Sequence, residues 1–261
     1  MISGLSSFSF LGKQWLNSLK FFLPKNITLF LLVSLNAMWQ AWKIIGFYFW
    51  WIFLIEPAMV YLNPFILTLH NWVAVSLFMT FFLPVVQLAI LCIIILALRP
   101  SVALKNYHYF SHYTGHFLSY LMVIGIIFFI MVMGTIFSVT HTFTAFLNPM
   151  VQWFFIQCSM SFMIFSAFFC FDAPLTPDVL LSFWRGFKMV WYGLPFCLVC
   201  TIIFYSLGSL CAGFLSSVAS VAPGLIAFIF YIGYYILLSL LIAVFNNFYL
   251  KRAHEDYDLY F

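Results

Sequence analysis

His108, His112 and His116 form His-x3-His-x3-His, the sharpest local pattern in this 261-residue chain. On a helix, two histidines one turn apart can share a metal, but the outer pair stand about 12 Å apart along the axis and cannot chelate one ion without a break. With 6 histidines and 6 acids in the whole chain, the ligand supply falls short of a membrane di-iron centre. We therefore read a polar stripe beside Lys105, with His108 and His112 set to touch phosphate headgroups, and expect no metal. An intramembrane lipid-modifying enzyme built on these histidines is the competing reading, and it needs a bound metal.

Other polar side chains stand inside apolar runs. Glu56, followed by Pro57, lies in a stretch able to dip into a bilayer, where a carboxylate can carry a proton or bind a cation. The plainer role is a wet interfacial glutamate. Asn36 with Gln40, Gln87 near Pro84, Gln157, and Asn246 with Asn247 are amides that can line a polar path, although interhelical hydrogen bonding is their commoner role. Cys197 and Cys200 form a Cys-x-x-Cys, but redox chemistry needs an exposed thiolate, and all 6 cysteines sit in or beside apolar runs. They read as small hydrophobes. No Gly-rich phosphate loop, His-Glu-x-x-His or Gly-x-Ser-x-Gly occurs, so neither an enzyme nor a cofactor is expected.

The elements that must position these residues follow from composition. With 66% hydrophobic and 6% charged residues, polar surface is too scarce to cover a soluble core. Mean hydropathy is +1.12. Uncharged runs of about 18 residues or more predict spans near 27–45, 72–98, 117–139, 151–171, 194–214 and 223–250. Runs such as Leu91 to Leu96 lack the alternation of a β-barrel, so the expected class is all-α, a polytopic bundle of six transmembrane helices. The three lysines before the first run precede no cleavage pattern, so that span is expected to be retained.

Charge sets the expected topology. Lys13, Lys20 and Lys25 precede span one, Arg99 and Lys105 follow span two, Arg185 and Lys188 follow span four, and Lys251 and Arg252 follow span six. These nine of the 10 basic residues fall on one side, which predicts that both termini are cytoplasmic. Lys43 is the exception, and it can snorkel among Trp39, Trp42, Trp50 and Trp51. Residues 46–70 read as an aromatic interfacial or re-entrant connection, with a seventh span as the alternative. A net charge of +4 spread among membrane flanks points to anionic lipid as the partner, with a membrane protein as a further partner and no nucleic acid.

Lys20, Lys105 and Lys188 recur at spacings of 85 and 83 residues. Each opens a unit of interfacial amphipathic helix plus transmembrane hairpin, giving repeats at 8–98, 99–172 and 173–252 and a tail at 253–261. In copy one, Lys13, Asn17 and Lys20 oppose Trp15, Leu16, Leu19, Phe22 and Leu23. In copy three, Asp178, Ser182 and Arg185 oppose Leu180, Phe183, Trp184, Phe187 and Trp191. Thr176-Pro177-Asp178 signals a helix start. Leu62-Asn63-Pro64 and Leu147-Asn148-Pro149 stand 85 residues apart, and Pro223-Gly224 holds a comparable place before span six. Small-xxx-small pairs at Gly208 with Ala212 and Ser209 with Gly213 predict close helix packing in span five.

This layout, with stretches such as Ser182 to Lys188, resembles the YciC-like group of bacterial six-helix membrane proteins, and the membrane portion found beside glycerophosphoryl diester phosphodiesterase domains. The resemblance implies a bacterial inner-membrane location and no settled activity. Two functions are carried forward. The first is a non-enzymatic protein that organises lipids or supports a membrane assembly through surface helices on the cytoplasmic leaflet. The second is a small-solute transporter or channel, drawn from the intramembrane amides and Glu56.

Overall fold

The structure is a computed structural model, and it describes residues 2–55, 58, 86, 89–98, 149–171, 179–218 and 223–255. These residues are all helical apart from short joints, as the apolar runs require. We number the helices α1 (Ile2–Leu19), α2 (Pro24–Tyr48), α3 (Ala89–Leu98), α4 (Pro149–Phe171), α5 (Val179–Tyr192), α6 (Leu194–Val218) and α7 (Pro223–Glu255). Among the described residues, three helices are long and apolar enough to cross a membrane, through the windows Asn26–Phe47, Leu194–Cys211 and Phe228–Ala253. Proline opens α2, α4 and α7, where its missing N–H costs nothing and its fixed φ favours a first turn. α5 begins at Val179, directly after the start signal at 176–178, whose own residues lie outside the described set.

Ring contacts fix how the helices run. Asn247 of α7 donates its amide to Phe30 O and Ser34 Oγ near the start of α2, at 3.3 and 3.4 Å. Beyond the far end of α2, Phe53 in the 3-10 turn Trp50–Leu54 meets Tyr235 at 5.2 Å, so α2 and α7 are antiparallel. α6 is antiparallel to α7 as well, with Phe196 on Phe248 and Phe204 on Tyr234. α4 runs parallel to α7, since Phe165 meets Phe245 and Phe169 meets Tyr249. One end of the bundle therefore gathers the start of α2, the end of α4, the start of α6 and the end of α7. The core fills with aromatic rings at that end and with α3, whose residues from Ile90 to Leu98 are all buried.

Gly208 and Gly213, where close helix packing is expected, meet no close neighbour among the described residues. Among the described residues, a Cβ at either position would meet nothing within 4 Å. The close approach lies elsewhere, where Gly186 of α5 rests on Ser166 of α4 and an added Cβ would stand 2.8 Å from the Ser166 backbone nitrogen. Ser182, one turn earlier, is buried on the same face, so Ser182-x3-Gly186 is the small pair that lets the two backbones approach.

α5 and α6 are almost continuous. Gly193 N–H donates to Met189 O at 2.9 Å and Cys197 N–H to Gly193 O at 3.0 Å, so helical bonding bridges the joint. Pro195 has no N–H to give Trp191 O, which would be its partner four residues back. The Trp15 indole N–H of α1 takes that place at 2.9 Å. A missing bond in one helix thus becomes the anchor for another. Trp15→Phe keeps the ring and removes the donor, so α1 should loosen by about 1 kcal/mol. Hydrogen exchange of α1 amides should accelerate roughly fivefold, and an unchanged exchange rate would mean that the bond contributes nothing.

Candidate functional site

α1 and α5, the two surface helices among the described residues, lie against the same end of the bundle. Besides the Trp15 bond, Phe10 of α1 meets Tyr192 of α5 edge-on at 6.0 Å. Each helix presents three faces. On α1, Gln14 and Ser18 are buried against the protein, as is Phe21 in the turn that follows. Leu16 and Leu19 are exposed, and Lys13, Asn17 and Lys20 form the polar strip. On α5, Ser182, Gly186, Met189 and Val190 are buried, while Arg185 and Lys188 form the cationic strip.

The apolar stripe of α5 points away from the protein. Leu180 is 81% exposed, and Trp184, Phe187 and Trp191 stand along the same side, with successive rings stacked at 5.8 and 6.2 Å. Lys188 Nζ sits 6.0 Å from the Trp184 ring. The expected split into one polar and one apolar face is thus refined, because the bundle takes a third face of small side chains. Going round each helix at about 100° per residue, the order is bundle-facing, then apolar, then cationic in both α1 and α5.

Beside α1, a cavity of about 300 Å³ opens between its last turn, the start of α2 and the last turn of α7. Lys20, Lys251 and Arg252 supply its positive charge, Glu255 its carboxylate, and Asn17 and Asn26 its amides, with Phe21 at its base. Arg252 and Lys251 are held through their side chains, and Lys20 through its backbone. Arg252, 2% exposed, donates through Nη2 to Gln14 Oε1. Lys251 Nζ lies 4.8 Å from the centre of the Phe21 ring, within cation–π range. Asn26 donates its side-chain amide to Lys20 O at 3.0 Å, fixing the backbone that carries Lys20.

Below the cavity the Phe21 ring packs on Phe30, Phe196 and Phe248 at 5.3, 5.6 and 5.0 Å. Phe196 and Phe248 stack at 4.1 Å with an interplanar angle of 10°. The basic rim therefore stands on a rigid aromatic knot.

Comparison with protein-family models, curated proteins and solved structures finds no match.

Of the residues singled out in the sequence, Lys13 on α1 and Lys20 in the turn that follows it are exposed, and Arg185 and Lys188 are half-buried on α5. Asn36 and Gln40 are exposed on α2, on the side opposite Ser34, Ala41 and Ile45, whereas Asn246 is buried on α7. Among the described residues, Asn36 and Gln40 thus stand on a different side of α2 from the one that α7 covers. Lys43 is exposed with Nζ 5.8 Å from the Trp39 ring. Glu56, Gln87, Lys105, His108 and His112 lie outside the described residues, as does the side chain of Gln157 in α4. Gln14, Asn26, Lys251 and Arg252 were not among the candidates for chemistry. Only Lys251 and Arg252 carried a signal, as topology marks.

Proposed function

We propose that the chain is a polytopic, non-enzymatic membrane protein of six spans in three repeats, with both termini cytoplasmic in a bacterial inner membrane. Its surface helices engage the cytoplasmic leaflet, where it organises anionic lipids or supports a membrane assembly. The common rotational order of faces on α1 and α5 carries this reading. A helix lying in a headgroup layer has three surroundings, namely the bundle beside it, acyl chains on one side and water with phosphates on the other. Bundle-facing, apolar and cationic faces answer to those three.

Solvent physics supports the same reading. In water, α5 would gain by burying Trp184, Phe187 and Trp191, yet it buries Ser182 and Gly186 and exposes the rings. In lipid there is no such gain, small residues let backbones approach, and tryptophan favours the interface. The resemblance to the YciC-like group points the same way. A small-solute transporter or channel draws less support, because Asn36 and Gln40 turn away from the interior where Asn246 lies.

The test is the lipid that travels with the protein. Native discs cut from the membrane should hold more anionic lipid than the bulk membrane does. With about 1 kcal/mol per surface cation, Lys13→Gln with Lys188→Gln should reduce that enrichment by about twofold or more. Discs of bulk composition in the unaltered protein would sink the proposal.

A further inference from the structure

We propose that the cavity bounded by α1, α2 and α7 seats the phosphodiester headgroup of a single anionic lipid, distinct from the loose attraction of the surface strips. The inference rests on the leaflet reading above and adds a specific site to it. Depth is the first argument. The apolar window of α2 opens at Asn26 and that of α7 closes at Ala253, so the cavity lies where both helices leave their apolar stretch. That is headgroup level for a lipid whose chains run down the bundle.

Chemistry is the second argument. Lys20, Lys251 and Arg252 converge on one cavity, where Glu255 is the single acid among the described lining residues. An anion completes the balance, and a phosphate oxygen accepts charge-assisted bonds from both ammonium and guanidinium groups. Glu255 and the amides of Asn17 and Asn26 suit the hydroxyls of a glycerol headgroup, which donate as well as accept.

Size and preorganisation agree. A volume of about 300 Å³ is the share of roughly ten waters, which suits a phosphoglycerol group of about ten non-hydrogen atoms. Arg252 is held by Gln14 and Lys251 by Phe21, so the ligand has only the Lys20 side chain to order, on a backbone fixed by Asn26.

Native mass spectrometry of the full chain in mild detergent tests the site with phosphatidylglycerol, phosphatidylcholine and soluble glycerol 3-phosphate as probes. One phosphatidylglycerol should stay bound under conditions that strip phosphatidylcholine. Lys20→Gln with Lys251→Gln should weaken that retention about tenfold or more at unchanged melting temperature, and Lys251→Arg should preserve it. Lys13→Gln with Lys188→Gln, outside the cavity, should leave it intact. Equal retention of phosphatidylglycerol in the Lys20 and Lys251 double variant overturns the site while leaving the leaflet reading standing. Glycerol 3-phosphate binding as tightly as the lipid assigns the cavity to a soluble phosphate and overturns the lipid assignment. Absence of anionic enrichment in native discs is the separate result that removes the leaflet reading itself.

Discussion

Gly186→Val should separate α5 from α4 and lower stability by about 2 to 3 kcal/mol, whereas Gly208→Val should change it by no more than about 0.5 kcal/mol. At Gly186 the first added carbon would stand 2.8 and 2.9 Å from the Ser166 backbone N and Cα. Backbone atoms in a packed helix have no rotamer through which to yield, so the helices must move apart. Ser182 and Met189, buried on the same face, would lose contact as they do. At Gly208 an added carbon meets nothing within 4 Å among the described residues. Thermal unfolding in detergent compares the pair directly. Equal melting of the two variants would show that the Gly186 contact does not hold the hairpin.

That contrast marks where the sequence stops being legible. Gly208 and Ala212 follow the small-xxx-small rule as well as Ser182 and Gly186 do, and among the described residues only the second pair has a helix packed against it. Helix existence was readable, because apolar runs of membrane length with proline at Pro24, Pro149 and Pro223 leave few alternatives for the backbone. Which face packs was not. In a chain of 66% hydrophobic residues, Phe187 and Phe248 carry the same label although one is exposed and the other buried. Lipid and protein interior are equally apolar, so periodicity alone cannot rank them.

The cavity was hidden for a different reason. Lys20 and Asn26 come from one end of the chain and Lys251, Arg252 and Glu255 from the other, so no local spacing joins them. Charge counting saw Lys251 and Arg252 as marks of sidedness. The antiparallel run of α2 against α7 turns those marks into a site, through contacts of the kind that Asn247 makes with Phe30 and Ser34. An amide expected to bond between helices does so, which is the part of that pattern the sequence had right.

Phe248→Ala should cost about 3 to 5 kcal/mol, the range for removing a fully buried aromatic ring. Phe248 is inaccessible to solvent and touches Phe21, Phe165 and Phe196, so its loss opens a space bordered by the turn after α1, by α4 and by α6 at once. Gly193 adds a constraint on repacking, since a Cβ there would come within 2.9 Å of the Phe248 ring. That glycine fits the ring so closely that a void there cannot be filled by a small shift. Phe196→Ala should be nearly as costly, but the double variant should cost less than the two combined, because their stacking at 4.1 Å is lost only once. Calorimetry on the four proteins measures this coupling. Simple additivity would mean that the rings act independently, and Phe21 would then have no rigid support beneath Lys251. With coupling, the same knot that joins the helices also sets the position of the Lys251 ammonium, so Phe248→Ala should weaken phosphatidylglycerol retention without touching a single charge.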